Sequence, residues 1–201
     1  MAKKTKHRLA RKRVTILEKA KKVLKKYGKN TSMGDIARAL EMDTSALYYY
    51  YKNIPEIIDT ILDHKYHDFS LDNEQWKDSS RAPLCILKEM VKLILEFYYD
   101  NQDILQIILS HVFPLCLDPE HEEDSLAINH FMRTYRDANY SMLEMIKHAQ
   151  KRGEIHSKLS PIMILQIIRG SIFGIWAAWK EDKLPREEIH GIVEHLFLMF
   201  T

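Results

Sequence analysis

The sequence contains little cysteine, glycine or proline. Cys85 and Cys116 are its only cysteines, and glycine and proline occur six times each among 201 residues. Two cysteines without a CxxC spacing exclude a disulfide framework and a cysteine-based zinc site, and they are typical of a reduced cytosolic protein. So few glycines and prolines are unusual for an all-β protein and ordinary for a helical one. We therefore expect an all-α protein of the cytoplasm.

The motifs of the common enzyme classes are also absent from the sequence. It has no glycine-rich phosphate loop, no GxSxG nucleophile elbow and no HExxH metal site. A helical di-iron site needs two Glu-x-x-His pairs, and the sequence has one, from Glu187 to His190. We interpret His64 and His67 as part of an exposed helix face. We therefore expect no enzyme, metal or cofactor, and a helical metalloenzyme is the least favoured alternative.

Charge is unevenly distributed along the chain. Residues 1–55 contain 15 Lys and Arg against four acidic residues, a net charge of +11, whereas residues 56–201 carry a net charge of −9. A basic head on an acidic body predicts a polyanionic partner for the head, such as nucleic acid. A solubilising tail is the alternative, because several of these charges lie in the first 13 residues. No apolar segment follows this basic stretch, so we expect no secretory signal.

Apolar residues recur at helical spacing in the head. The pattern predicts a first helix over about 12–27, with Ile16, Ala20 and Tyr27 on its buried stripe. A second, short helix follows, with an apolar stripe at Met33, Ile36, Ala37 and Leu40. The expected caps and stops are Gly28, either Thr31 or Ser32, Asp43, and Asn53 with Glu56 three residues later.

The third helix is expected to open at Asp43 and to cover four consecutive tyrosines. Four neighbouring helical side chains point almost all the way round, so the tyrosines cannot share one core. Leu47 and Tyr51, four residues apart, should face inward. Tyr48 and Tyr49 then face outward, and Tyr50 lies at the flank. Two short helices with a turn between them and a basic surround form the helix-turn-helix pattern.

The remainder of the chain is also predicted to be helical, which gives about nine helices in all. We predict an N-terminal three-helix DNA-binding domain with a basic arm over residues 1–57, and a C-terminal helical domain over residues 58–201. The predicted helices beyond the third cover residues 54–69, 83–100, 102–113, 124–152, 160–180 and 185–200.

Residues 31–56, TSMGDIARALEMDTSALYYYYKNIPE, resemble the TetR family of bacterial transcriptional regulators. The resemblance is specific over about residues 12–62, and beyond them it is one of helix pattern and size, with a KRGEI stretch at 151–155. Glu41 replaces the glycine usual in the turn, and Ile54 replaces a lysine that often contacts phosphate. The residues in register are Thr31, Asp35, Ile36, Ala37, Leu47, Tyr48, Tyr50, Asn53 and Glu56.

The resemblance implies that the third helix reads the major groove of an operator. By position, Thr44, Ser45 and Tyr49 would meet base edges, while other residues would contact phosphates. The arm from Lys3 to Arg13 would lie along the DNA backbone or enter the minor groove. The predicted DNA-binding residues are Thr31, Ser32, Thr44, Ser45, Ala46, Tyr48, Tyr49, Tyr50 and Lys52.

The resemblance further implies a homodimer, and the eighth helix has a matching pattern of small residues at four-residue spacing. Such ridges also occur in membrane helix dimers. Here Gln166 and Arg169 interrupt the apolar run, and it ends near the minimum spanning length, so we expect no membrane span. The predicted dimer residues are Gly170, Gly174, Ala178, Ile189, Val193 and Leu196.

The C-terminal domain is expected to bind a small hydrophobic or aromatic effector. Ordinary core packing is the alternative for each candidate, because aromatic stripes usually fill cores. The candidates are Tyr98, His111, Phe113, His130, Phe131, Tyr135, Asn139 and Trp176.

Together these features predict a ligand-responsive regulator, a repressor that binds an inverted-repeat operator as a homodimer. Fatty acids, acyl thioesters and aromatic compounds are all open as effectors. The alternative is an architectural or division-control factor that keeps the DNA-binding head and binds a protein partner through its C-terminal domain.

Overall fold

The computed structural model describes residues 2–66, 80–112, 129–182 and 185–201, and all the regular secondary structure in these ranges is helical. The all-α prediction is therefore confirmed. The nine α-helices are α1 (Ala2–Tyr27), α2 (Met33–Ala39), α3 (Thr44–Tyr48), α4 (Ile54–Tyr66), α5 (Pro83–Asp100), α6 (Gln102–Ile107), α7 (Asn129–Lys151), α8 (Pro161–Asp182) and α9 (Glu188–Leu198).

These helices form two compact units. Unit 1 contains α1 to α4, α6 and the first residues of α7. Unit 2 contains α5, α7 from Thr134 onward, α8 and α9. In unit 1, α1 packs against α2, α4 and α6. The side chains that are completely buried there are Ile16, Ala20, Leu24, Ile36, Leu47, Ile57, Leu62, Ile104 and Ile107.

Helix α1 begins about ten residues earlier than the periodicity predicts, so the basic arm is itself helical. Lysine, arginine, alanine and leucine are good helix formers, and the arm has no glycine or proline to stop the helix. The helix ends as expected before Gly28, which has φ +54°. Tyr27 was predicted on the buried stripe but is 42% exposed, and the Lys26 ammonium lies 4.8 Å from its ring centroid.

Helix α3 is shorter than predicted and does not cover the whole tyrosine run. It ends at Tyr48, Tyr49 is its C-cap, and Tyr51 has left the helix. The N–H of Tyr50 donates to the Leu47 carbonyl at 2.9 Å, a tightened last turn. The chain must turn here because α4 begins only a few residues later, at Ile54.

In unit 2, α5 packs against α8 and α9 around an apolar core. Lys88 of α5 pairs with Glu194 of α9 at 2.6 Å, and Leu84 donates its N–H to the Glu154 carboxylate at 2.9 Å. The N–H of His156 donates to the Phe200 carbonyl at 2.8 Å, which fixes the C-terminal end of the chain. Completely buried side chains in this unit are Leu87, Met90, Val91, Leu95, Ile146, Ala149, Ile164, Ile168 and Phe197.

Several helix boundaries differ from those predicted. The predicted helix over 102–113 changes at Ile108 into a π-helical turn that runs to Val112. Ser110 donates its hydroxyl to the Gln106 carbonyl at 2.7 Å and so competes with the backbone ladder for that acceptor. Helix α9 begins at Glu188 and not at Pro185. The parts of the predicted helices over 67–69, residue 113 and 124–128 lie outside the described residues.

Within the described residues, one segment is long and apolar enough to cross a membrane by length and composition alone. It is Pro161–Trp179 of α8, and 28% of it is buried within this chain. Gln166 and Arg169 lie inside it. Much of the apolar surface of α8 is thus uncovered in the single chain.

Candidate nucleic-acid interface and effector residues

The start of α2 is fixed by a reciprocal cap. Ser32 is the N-cap, and its hydroxyl accepts from the Asp35 N–H at 3.2 Å while its own N–H donates to the Asp35 carboxylate at 3.0 Å. Hydrogen bonds from Ser32 lower the pKa of Asp35, with a smaller effect from Arg38. Thr31, the other candidate cap, instead donates its hydroxyl to the Gly28 carbonyl at 2.8 Å. The reciprocal bonds between Ser32 and Asp35 form a capping box, in which aspartate takes the place of the usual glutamate.

The turn between α2 and α3 has a left-handed residue that is not glycine. Glu41 has φ +53°, the only positive φ of a non-glycine residue in the described ranges. The Met42 N–H donates to the Ala37 carbonyl and the Glu41 N–H to the Arg38 carbonyl, both at 3.1 Å. These two bonds form a Schellman motif. Since the Cβ of a left-handed residue crowds the backbone, glutamate here stores about 1 kcal/mol of strain.

The tyrosines face as the sequence predicts. Leu47 is 0% and Tyr51 2% exposed, whereas Tyr48 is 53% and Tyr49 75% exposed. Tyr50 is half-buried at the flank, and its ring meets that of Tyr49 edge-on, with centroids 5.4 Å apart. Burial raises the pKa of Tyr51, since ionising a phenol is unfavourable away from water. The inward pair anchors α3 and leaves the other two phenols in solvent.

The predicted DNA-binding residues lie on the surface of unit 1. Thr31 and Tyr50 are half-buried. The remaining seven are exposed: Ser32, Thr44, Ser45, Ala46, Tyr48, Tyr49 and Lys52.

Arg13 is a contributor that the sequence reasoning missed. Its guanidinium donates to the Tyr50 carbonyl at 3.1 Å and lies 5.3 Å from the centroid of the Tyr51 ring. It therefore ties α1 to the C-terminal end of α3. Since 37 residues separate the partners and α1 is rich in bases, spacing gives no signal that singles out this arginine.

The start of α4 is capped by Asn53 and Glu56. The Asn53 side-chain oxygen accepts from the Glu56 N–H at 2.9 Å, as predicted. The Glu56 carboxylate accepts from the Lys52 N–H at 2.6 Å and not from that of Asn53, so the reciprocal bond is displaced by one residue. The Lys52 side chain remains exposed at this corner.

Four of the effector candidates lie in unit 2, where the structure brings two of them into contact. The rings of Tyr98 and Trp176 have centroids 4.3 Å apart. The Tyr135 hydroxyl accepts from Arg169, whose guanidinium lies 5.3 Å from the Tyr135 ring centroid. Asn139 donates to the Tyr135 carbonyl within α7 at 2.8 Å. Arg169 was not among the predicted residues, although it is the only base inside the apolar run of α8.

His111 belongs to unit 1 and is described separately from those four residues. Burial lowers its pKa, and a hydrogen bond with the Leu24 backbone acts in the opposite direction. Its Nε2 is buried and has no partner among the described residues. Phe113 lies outside the described residues, and for His130 and Phe131 only the helical backbone is described.

The predicted dimer residues divide into two groups. On α8, Gly170 and Gly174 are exposed, and a Cβ added at either would meet no atom within 4 Å. Ala178 is half-buried.

The three dimer residues predicted on α9 are buried in the single chain. Ile189 is 1%, Val193 2% and Leu196 7% exposed in the single chain. They lie on the side of α9 that packs against α5, because that stripe completes the core of unit 2. Their side chains are therefore covered without a second subunit. The exposed apolar residues at the end of α9 are Leu198 and Met199.

The described residues contain no group of three or more His, Cys, Asp or Glu side chains that could hold a metal ion.

Comparison with known proteins gives consistent matches. Residues 16–61 match the model of the family described as "Bacterial regulatory proteins, tetR family". The HTH-type transcriptional regulator AcrR of Shigella flexneri is 24% identical over 182 residues, which are 89% of this chain and 83% of that protein.

Two solved structures resemble the whole fold. The structure of AibR in complex with isovaleryl coenzyme A and operator DNA has a TM-score of 0.71 at 22% identity, covering 92% of this chain and 97% of that one. FadR from Bacillus subtilis in complex with stearoyl-CoA has a TM-score of 0.65 at 19% identity, covering the same shares, 92% and 97%. At these identities the likeness is one of fold.

Proposed function

This chain belongs to the TetR family of bacterial regulatory proteins, and we propose that it is a ligand-responsive repressor that binds an inverted-repeat operator as a homodimer in the cytoplasm. Residues 1–57 would bind DNA and residues 58–201 would bind the effector and dimerise. The observation that carries the proposal is the split of the tyrosine run. Leu47 and Tyr51 anchor α3 in the core, while Tyr48 and Tyr49 remain exposed beside Thr44 and Ser45.

The outward face of α3 has the chemistry for reading base edges. Thr44 and Ser45 offer hydroxyls that donate and accept, and Tyr49 adds a phenol with an apolar ring for thymine methyl groups. Ala46 beside them is small enough to let the helix approach the groove floor. A major groove about 12 Å wide admits one α-helix.

Phosphate contacts would come from the rim of this face. We assign them to Thr31, Ser32, Tyr48, Tyr50 and Lys52, which surround α3 with hydroxyls and one ammonium. The arm was expected either to lie along the DNA backbone or to enter the minor groove, and its helical structure favours the first position. A helix with side chains is about 10–12 Å across, whereas the minor groove is about 6 Å wide. The arm therefore lies along the backbone and not inside the minor groove.

The uncovered face of α8 supports the homodimer. Met163, Gly170, Phe173, Gly174 and Ala177 are exposed at helical spacing, and all are apolar or small. The two glycines let a partner helix come close, and the flanking apolar side chains gain burial. We assign this face, with the exposed end of α9, to the second copy.

The effector is proposed to bind in unit 2 near Tyr98, Tyr135 and Trp176. The fold-level relatives in complex with isovaleryl coenzyme A and stearoyl-CoA support a ligand with an acyl chain, although aromatic compounds suit the same side chains. Binding would favour one of two arrangements of the dimer and so change the separation of the two α3 helices. A tenfold change in operator affinity needs about 1.4 kcal/mol of differential binding, and DNA must weaken the ligand equally.

DNA binding is tested by selecting sequences from a random duplex pool with the purified chain. We expect an inverted repeat whose half-sites are about 34–36 Å apart, or a multiple of that spacing. The control is Lys151→Ala, which removes an exposed base in unit 2. Equal retention of all sequences would contradict the proposal.

Gating is tested on that operator. Compounds that raise the melting temperature are added, and operator affinity is measured by fluorescence anisotropy with and without them. We expect a loss of affinity. A compound that binds stably and leaves operator affinity unchanged would contradict gating and would favour the alternative in which the C-terminal domain binds a protein.

A further inference from the structure

Three N–H groups on α8 are buried and have no acceptor among the described residues. They are the Nε of Arg169 and the indole Nε1 of Trp176 and of Trp179. Trp179 is 5% exposed, and its ring meets that of Tyr99 edge-on at 5.5 Å. A buried donor without an acceptor is destabilising, and native structures contain few of them. Three within eleven residues of one helix therefore call for an explanation.

These donors share one side of α8. Residues seven apart on a helix differ by about 20° in direction, so Arg169 and Trp176 point nearly the same way, about 10 Å apart along the axis. Ile172 lies between them and is 5% exposed. This side thus presents a guanidinium, an aliphatic residue and indole donors in succession, with the Tyr98 ring packed on Trp176.

Arg169 also has no carboxylate partner among the described side chains. Its hydrogen bonds go to the Tyr135 hydroxyl and, at 3.3 Å, to the Gln166 amide oxygen, both neutral acceptors. No carboxylate lies within ion-pair distance of it among the described residues. A half-buried guanidinium without a carboxylate favours an anion as its partner.

We propose that the effector is an elongated organic anion, whose charged group binds Arg169 and whose other acceptor oxygens bind the indole N–H groups of Trp176 and Trp179. This inference rests on the proposed effector site and narrows its ligand from any apolar molecule to an amphipathic acid. The acyl or aromatic portion would lie along Ile172 and Tyr98. An ammonium ligand of the same size has only N–H donors at its polar end. It could not accept from the Arg169 guanidinium or the indole N–H groups, and so would not bind there.

Two matched probe pairs test the inference on the purified chain: decanedioate against octane-1,8-diammonium, which carry a polar group at each end, and 4-phenylbutyrate against 4-phenylbutylammonium, which carry one. Members of a pair share the apolar portion and differ in whether the polar end accepts or only donates. We expect at least one carboxylate to bind roughly tenfold more tightly than its ammonium partner, since a hydrogen bond to a charged group is worth at least that factor. No preference in either pair, or no binding by either carboxylate, would overturn the proposal.

Variants then assign the donors. Trp176→Phe keeps a ring and removes the N–H, and Arg169→Met removes the charge, so each should weaken decanedioate, which has an acceptor for both groups, roughly tenfold while the diammonium is unaffected. Arg169→Lys should restore part of the affinity. Tyr140→Phe, at an exposed position of α7, is the matched control and should change nothing. Equal affinity of Trp176→Phe and the parent protein would remove that indole from the proposal.

Indole resonances provide a readout independent of affinity. The chain has three tryptophans, so ¹⁵N-tryptophan labelling gives three indole signals, which single Trp→Phe variants assign. The Trp176 and Trp179 protons should move downfield with decanedioate and stay in place with the diammonium. Unchanged signals at saturation would contradict the assignment. Operator binding is measured separately, so failure of the DNA-binding proposal remains distinguishable from failure of this one.

Discussion

Arg13 in α1 donates its guanidinium N–H to the backbone carbonyl of Tyr50 at 3.1 Å. That carbonyl lies where α3 has ended, so no N–H of a following helical turn is available to it. The same guanidinium covers the Tyr51 ring. One base of the arm thus supports the helix that we propose reads DNA.

Replacing Arg13 should therefore affect folding as well as binding. We expect Arg13→Ala to lower the free energy of unfolding by about 1–2 kcal/mol, from one charge-assisted hydrogen bond and a surface cation–π contact. Arg11→Ala removes the same charge at an exposed position and should weaken DNA binding alone. Urea unfolding and anisotropy titrations measure the two effects. Equal stability of both variants would show that the Tyr50 contact has no energetic role.

The opposite orientations of Tyr49 and Tyr51 predict different phenotypes. Tyr49→Ala should leave stability within about 0.5 kcal/mol of the parent and change base preference, because the side chain is 75% exposed. Tyr51→Ala should cost about 3–5 kcal/mol as a core truncation. Thermal denaturation and sequence selection separate the two. A destabilised Tyr49→Ala protein with unchanged base preference would contradict the orientation.

Tyr51→Phe gives a sharper test of the same site. The Tyr51 hydroxyl is buried and has no hydrogen-bond partner among the described residues. Removing it should be neutral or should stabilise the fold by about 1 kcal/mol, because phenylalanine has no hydroxyl that must give up hydrogen bonds to water on folding. Chemical denaturation measures this. A loss above about 1 kcal/mol would reveal a hydrogen bond that the hydroxyl makes in solution.

The strained turn residue predicts a stabilising substitution. Glu41→Gly should raise the free energy of unfolding by up to about 1 kcal/mol, because glycine adopts a positive φ without a Cβ clash. Glu41→Ala keeps the Cβ and should gain nothing. Denaturation midpoints of the two variants decide the matter, and equal midpoints would argue against a left-handed residue at this position.

The exposed ridge of α8 predicts a change in assembly without a change in folding. Position 174 is exposed and a Cβ added there meets nothing within 4 Å, and leucine favours a helix over glycine. In the proposed dimer it would force the two helices apart. Gly174→Leu should therefore sediment as a monomer that melts no lower than the parent monomer. Lys151→Leu is the control, and an unchanged Gly174→Leu dimer would place the interface elsewhere.

His111 predicts a pH dependence of stability. Its folded pKa is lowered by burial, so the unfolded chain takes up this proton first as the pH falls. The stability that neutral His111 contributes is complete above the unfolded pKa of about 6.5 and declines below it towards the folded pKa. His111→Gln should flatten the stability profile in that window. Denaturation midpoints between pH 5 and 8 provide the measurement, and parallel profiles would contradict the burial of this ring.

The sequence predicted the helix-turn-helix module well because its signals are local. The stripe at Ile36 and Leu47, the cap at Ser32 and the turn at Glu41 each depend on neighbours within a few residues. The early end of α3 was missed, and the Arg13 contact with the Tyr50 carbonyl at that end joins residues 37 positions apart. The periodicity of apolar residues within one helix cannot indicate a contact between residues so far apart in the sequence.

In the C-terminal region, periodicity located helices but not the partners of their faces. The stripe of Ile189 and Val193 is apolar whether it meets α5 or a second chain, so the sequence pattern alone does not distinguish core packing from a dimer contact. The uneven burial of α8 could not be read from composition, because both sides of that helix are apolar. From the sequence, Arg169 is a charge that interrupts the apolar run of α8, and only its hydrogen bond shows that it faces Tyr135.

The helical arm of α1 also has a consequence for folding itself. Its seven bases between Lys3 and Arg13 are spaced at about one charge per 2.4 Å of helix axis, or about 70% of the linear charge density of duplex DNA. Like charges three and four residues apart oppose the helix, and its first turn has no acid to offset the positive end of the dipole. A polyanion relieves both penalties. The helicity of the arm should therefore rise when DNA is present, which couples a helix–coil transition at the N-terminus to occupancy of the operator.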